Sequence, residues 1–414
     1  MIVQKGDAAF MKQRIYSKDI IFVLAAAFFY MAAPMLATPL IPGFIKSIGG
    51  SAAVMGFAGG LMNLCSLFCR PFAGNLADRI SKYRLSMIGA ALMAAAGAGY
   101  ILAHNAAIVV LFRLVNGVGF AFCSVCMAAW MSDMLPKDKI GSGMGIYGTM
   151  NALAMAAAPA LGVRVYQVWG YRAAFGIAVI FSAAFIVVIQ FIGDKGEPGR
   201  DTAEEDSDVR EKDEMNGQSP GRKKKRLELI DVKVLPTALI IMLFAIPYCA
   251  TQSFLVTYVE ARNLDLTVSM FFPSYAVVLI VLRLVLRGFF DKLPFRVFLA
   301  AGCVSELFAI LLLAIMHSRV EMFLASLFLA GGYGVMSSVC QSRAVLLAGE
   351  GRRGLANSTY YIGLDLGMTL GPMIGGALYG GLDIRWFYPA LMVTMPLAGA
   401  VYVIVERKEK RNFE

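Results

Sequence analysis

Glu306 and Asp365 are the two acidic residues, out of 28, that fall near the middle of long apolar stretches. At helical rise each lies about 15 Å from one end of its stretch. A carboxylate held away from water resists ionisation, so such a group can take up and release a proton rather than stay charged. A third charge, Arg113, stands in another apolar stretch about 10 Å from its nearer end. An arginine there must pair, face water or snorkel to the surface, which makes it a functional candidate. Other chemistry finds little support. The seven cysteines, Cys123 and Cys126 of a CxxC among them, all sit in apolar surroundings and read as small hydrophobes. Gly143, Gly145 and Gly148 satisfy GxGxxG, but no strand precedes them, and no GxxxxGK[ST] phosphate loop exists. With no nucleophile and base in view, the chain is expected to be no enzyme and to hold no cofactor or metal.

The elements that carry these residues follow from composition. Of 414 residues 58% are hydrophobic and 16% charged, against about 25% charged in a soluble domain. About 240 apolar residues suffice for on the order of twelve membrane crossings of some 20 residues each. Apolar stretches run at 19–45, 51–77, 83–103, 107–132, 141–168 and 172–193, then at 235–259, 267–290, 296–316, 321–348, 354–381 and 385–405. Between the two sets, 194–234 is dense in charge and reads as a solvated linker. The expected plan is therefore an all-α integral membrane protein. It has an arm (1–18), a six-helix bundle (19–193), the linker (194–234), a second bundle (235–405) and a tail (406–414).

The net charge of +10 has a positional cause. With the N-terminus in the cytoplasm, all but seven of the 38 Lys and Arg fall on the cytoplasmic side. The exceptions are Arg113 and, at the outer ends, Lys46, Arg164, Arg172, Arg262, Arg319 and Arg385. This is the positive-inside bias, so both termini are expected in the cytoplasm, in a cell membrane, and nucleic acid is not needed to explain the charge. The run Arg222 to Arg226 then reads as an orientation anchor that also meets anionic lipid.

The halves repeat each other. A shift of 213 residues carries Pro34 onto Pro247, Thr38 onto Thr251, Arg70 onto Arg283, Asp78 onto Asp291, Pro159 onto Pro372 and Arg172 onto Arg385. Helix breakers and intramembrane charges are costly, so their recurrence at one offset points to two copies of one six-helix unit in the same orientation. Parallel copies of this kind are related by an axis along the membrane normal, with a central cavity between them.

Three motifs resemble those of the major facilitator superfamily. Between the second and third stretches, Gly74, Asp78, Arg79, Lys82 and Arg84 follow its signature loop, with Ser81 where a glycine is usual. The resemblance implies a latch there, in which Asp78 bridges to a helix end or a basic side chain, with Asp291 in the second copy. Arg113, Asn116, Gly117 and Gly119 resemble its second motif. Gly367, Gly371, Pro372, Gly375 and Gly376 match the glycine and proline motif of its drug and proton antiporters, which those proteins carry in helix 5. Here helix 5 has the diluted form Ala158, Pro159, Gly162. Small residues let helices approach closely and proline bends them, which suits the contact between halves.

In this superfamily helices 1, 4, 7 and 10 line the cavity. By resemblance and polarity the cavity residues are expected to be Tyr30, Thr38, Arg113, Asn116, Asn151, Tyr248, Gln252 and Tyr361. Asp365, with Glu306 as second candidate, is expected to couple protons, because helix 11 borders the contact between halves in the family. The implied function is secondary transport by a monomer in which two bundles rock about a midplane site: proton-coupled efflux of a small amphipathic compound. The alternatives are proton-coupled uptake of a sugar, organic acid or amino acid, and a membrane sensor or scaffold that moves nothing.

Overall fold

A computed structural model describes residues 17–77, 79–135, 140–197, 230–286, 293–348 and 353–411, and every regular element among them is helical. Twelve crossings follow one another. They begin with α1 (Lys18–Ser47, with a turn at 38–40), α2 (Ala52–Ala77), α3 (Lys82–Leu102) and α4 (Ala106–Met134). Next, α5 and α6 run together as Ile140–Gln190 and are divided at Gly170, whose φ of 80° suits a residue without Cβ. The second half holds α7 (Leu235–Ala261), α8 (268–286), α9 (Phe295–Ile315), α10 (319–348), α11 (Arg353–Gly381) and α12 (384–411).

Local chemistry sets several of these boundaries. Ser17 Oγ accepts from Ile20 N–H at 3.2 Å to start α1, and Asn105 Oδ1 accepts from Ile108 N–H at 3.0 Å to start α4. Ser318 and Glu321 form a full capping box at the start of α10. Asp19 ties the first helix to the end of the sixth, accepting from Gly193 N–H at 3.1 Å and Asp194 N–H at 3.3 Å. The end of the molecule where α1 begins, α6 ends and α7 begins is called the linker end below, and the opposite one the far end.

The repeat survives in detail. Pro34 inside α1 and Pro247 inside α7 are each followed four residues on by a threonine that donates to the proline carbonyl, Thr38 at 2.9 Å and Thr251 at 2.8 Å. Such back-bonding bends both helices at matching heights.

Residues 198–229 lie outside the described residues, but both flanks are packed. Ser81 Oγ donates to Lys195 O at 2.6 Å, Lys82 N–H to Gly196 O at 2.9 Å and Trp130 Nε1–H to Asp194 O at 3.1 Å. At the other flank Asp231 and Val234 are buried, and Asp231 N–H donates to Thr359 Oγ1 at 2.8 Å. Charge content alone misses this, because backbone groups at helix ends hold these flanks whatever their side chains.

Within the first half, α1 packs along α5 and α6 through Phe22 on Phe191 and Phe44 on Phe175, with ring centroids 5.6 and 5.1 Å apart. Between halves the closest approach joins α2 to α11. A Cβ on Gly56 would stand 2.6 Å from Pro372 O and 2.7 Å from Gly376 Cα. The motif glycines of α11 thus serve two neighbours. Gly367 and Gly371 meet carbonyls of α7, Met242 O and Ile246 O, and Gly375 meets the Phe254 ring, while Pro372 and Gly376 meet α2. On α5, Gly162 approaches Leu36 O of α1, and Pro159 is buried.

Candidate functional site

Four polar contacts between halves are described, and they are ordered along the helices. At the far end Lys46 Nζ donates to Tyr379 OH at 2.7 Å and Tyr166 OH to Glu260 Oε1 at 2.9 Å. Deeper in, Asn63 Nδ2 approaches Met368 O at 3.5 Å. Nearest the linker end, Arg70 Nη1 of α2 stands 3.0 Å from Asp365 Oδ2 of α11. A cavity of about 320 Å³ lies between the halves at this level. Its mouth faces the linker end, where Gly148, Arg283 and Tyr361 are exposed.

The walls are chemically unequal. The first half contributes Met31, Met35 and Met155, flexible apolar surface that adapts to ligand shape. The second contributes five tyrosines. Tyr248 and Tyr333 stack with centroids 4.0 Å apart and planes 16° from parallel, and Tyr275 leans on Tyr248 at 5.3 Å. Tyr360 and Tyr361 meet edge to face at 5.3 Å. The charged lining consists of Arg70, Arg283 and Asp365. A mostly apolar pocket with few fixed polar groups is the usual form of a small-molecule site.

The expected site residues divide. Asn151, Tyr248, Tyr361 and Asp365 line the cavity. Thr38 and Gln252 line a small adjoining recess with Tyr248, whose hydroxyl accepts from Gln252 Nε2 at 2.7 Å. Tyr30, Arg113 and Asn116 do not line it. Tyr30 lies one layer behind Phe120, its hydroxyl 3.0 Å from that of Tyr147. Arg113 is fully buried against α2, donating from Nε to Ala58 O and from Nη2 to Gly59 O, both at 2.9 Å, and Asn116 is buried on the same helix. Glu306 is fully buried behind the tyrosine wall, where its Oε2 accepts from Tyr333 N–H at 2.8 Å. That amide belongs to a π turn, Ala330–Gly334, in the middle of α10.

In the loop after α2, Asp78 and its counterpart Asp291 lie outside the described residues. Lys82 pairs with Asp133 of α4 at 2.9 Å, within its own half, and Arg79 and Arg84 are exposed. Nothing described lies within 4 Å of a Cβ placed on Gly74.

Beyond Asn151, Tyr361 and Asp365, helices α2, α5, α8 and α11 supply wall residues that the expectation did not include: Arg70, Asn63, Met155, Tyr275, Arg283 and Tyr360. The signal lay in the repeat. Arg70 and Arg283 coincide at the 213-residue offset, and two copies of a costly charge facing one axis meet in one cavity.

Known proteins of similar sequence and shape agree with this architecture. The chain is 23% identical over 394 residues to the quinolone resistance protein NorA of Staphylococcus aureus, covering 92% of this chain and 94% of that one. It is 20% identical over 414 residues to multidrug resistance protein 2 of Bacillus subtilis, covering 97% and 98%. Among solved structures, a POT peptide transporter bound to alafosfalin superimposes with a TM-score of 0.75 at 13% identity, covering 95% of each chain. The nucleoside transporter NupG gives 0.74 at 11% identity, covering 93% of this chain and 99% of that one. The profile of the Major Facilitator Superfamily matches residues 23–316 and 298–414. With two six-helix halves about a central cavity and a match along nearly its whole length, the chain belongs to the Major Facilitator Superfamily of membrane transporters.

Proposed function

We propose that this transporter couples protons to the efflux of a small amphipathic compound by alternating access, with Asp365 as the proton carrier. The observation that carries the reading is the ion pair from Arg70 to Asp365, which joins the two halves inside the cavity. An ionised Asp365 holds α11 to α2, and a protonated one releases Arg70, so proton occupancy biases how the halves sit against each other. Methionines and stacked tyrosines offer the adaptable apolar surface that an amphipathic ligand needs. The names of the two resistance proteins favour efflux. The protein acts in this reading as a monomer in the cell membrane, surrounded by lipid, with the linker end in the cytoplasm. The positive-inside bias supports that orientation.

A panel of aromatic acids, amines and neutral compounds, assayed in proteoliposomes of known orientation with a pH step across the bilayer, tests the reading. Wild-type flux should follow the gradient and leave the cytoplasmic side, and Asp365→Asn should abolish the gradient dependence. Flux indifferent to the pH step, or unaltered coupling in Asp365→Asn, rejects it.

A further inference from the structure

We propose that Arg283 anchors an acidic group of the transported compound, so that the ligand is an aromatic anion or zwitterion whose ring lies on the tyrosine wall. The inference deepens the transport reading of this cavity and rests on it. Its basis is a broken symmetry. The 213-residue offset relates Arg70 of α2 to Arg283 of α8, and both line the cavity. The same offset relates Asp365 of α11 to Ala152 of α5, which lines the cavity as well. At one seam between the halves, therefore, guanidinium and carboxylate stand 3.0 Å apart, whereas at the seam related by the repeat the carboxylate position is taken by an alanine. Among the described residues no carboxylate lies within ion-pair distance of Arg283, and the charged lining carries one positive charge in excess.

A planar guanidinium is built to take a carboxylate, sulfonate or phosphate by two parallel hydrogen bonds. An acid entering from the linker end would stand where the repeat omits its own. Arg283 lines the same cavity as Tyr275 and Tyr360, which sets it beside the aromatic surface. An acid one or two bonds from a ring then meets both features together. A phospholipid headgroup offers the same anionic chemistry, and Arg283 is exposed enough to meet one.

Equilibrium binding of 2-naphthoate and of 2-naphthylmethylamine to the full chain in phosphatidylcholine nanodiscs, with no gradient, tests the proposal. Naphthoate should bind the wild type more tightly than the amine does. Arg283→Gln should weaken naphthoate by about tenfold or more, and Arg283→Lys by less. Ala152→Asp, which restores the missing carboxylate without removing a cation, should weaken naphthoate as strongly and leave the amine bound as well or better. This variant keeps the proposal testable if Arg283→Gln fails to fold. Naphthoate affinity indifferent to Arg283→Gln or Ala152→Asp, or preference for the amine, overturns it. Added phosphatidylglycerol should leave naphthoate affinity unchanged, and loss of naphthoate to that lipid would make a headgroup the occupant and also overturns it. Since binding is read without flux, failure here leaves efflux of neutral or cationic compounds standing, and failure of the gradient experiment leaves this result readable.

Discussion

Arg70 Nη1 and Asp365 Oδ2, from opposite halves, approach to 3.0 Å without hydrogen-bond alignment, and both Arg70 Nε and Asp365 Oδ2 are buried with no hydrogen-bond partner among the described residues. The pair is a close charge contact rather than a hydrogen-bonded fork. Its sides are unequally solvated: the Arg70 side chain keeps 31% of its surface exposed, that of Asp365 5%. Losing the arginine strands a desolvated carboxylate, whereas losing the carboxylate leaves a guanidinium that still reaches water. Arg70→Met should therefore destabilise by about 1–3 kcal/mol, more than Asp365→Asn does. The double variant Arg70→Met, Asp365→Asn should recover part of that loss. Thermal unfolding midpoints in detergent give the cycle, and strictly additive losses would show that the two groups do not interact.

The contacts of Glu306 fit a positioning role. Its carboxylate holds the amide of Tyr333 in the π turn of α10, and the Tyr333 ring stacks on Tyr248 in the cavity wall. The carboxylate thus sets the wall from behind. Glu306→Gln retains an oxygen acceptor and should preserve both stability and gradient coupling. Glu306→Ala strands the amide, should cost about 1–3 kcal/mol and should weaken aromatic ligands severalfold. If Glu306→Gln uncouples flux from the pH step while the protein stays folded, the proton belongs to Glu306 instead.

Arg113 is bonded as a structural brace would be. Its guanidinium spans two consecutive carbonyls of α2, Ala58 O and Gly59 O, in the turn whose glycines face α11. Lysine carries the charge but not the fork. Arg113→Lys should therefore destabilise nearly as much as Arg113→Gln, each by at least about 2 kcal/mol, read as a lower unfolding midpoint. Naphthoate affinity at temperatures where the variants remain folded should change little. Intact stability with lost affinity would return Arg113 to the ligand site.

Sequence carried the fold far and the site only partway. Twelve crossings, the doubling and the membrane setting followed from apolar length and one constant offset, because hydrocarbon thickness and the cost of buried charge act on residues one at a time. Asp365 was visible for the same reason. Helix rotation was not, since a helix apolar all round has no periodic face to read. Tyr30, Arg113 and Asn116 were accordingly expected in a cavity that they stand behind. Tyr275, Tyr333 and Tyr360 went unnoticed among 16 tyrosines. The partner of Asp365 was in plain sight as a repeat marker, but only the packing of α2 against α11 brings Arg70 to it.

That same packing makes a prediction about state. At the far end Gly376 of α11 presses on α2 so closely that a Cβ would stand 2.5 Å from Gly56 Cα and 2.6 Å from Ala52 O, both backbone atoms of a helix that cannot step aside cheaply. Toward the linker end of α2, no described atom lies within 4 Å of a Cβ on Gly74. Halves that rock about the midplane exchange these situations: opening the far end relieves Gly376 and brings the linker-end glycine into contact. Gly376→Val should thus penalise the present state by about 1–3 kcal/mol and shift the population toward the far-end-open form by roughly five- to a hundredfold. Gly74→Val, silent here, should burden the opposite form and hold the protein as it is. Spin labels on α2 and α11 at both ends, read as distance distributions, measure the two shifts. Rocking requires them to have opposite signs, and movement in the same direction would mean that the halves do not pivot about the level of Arg70 and Asp365.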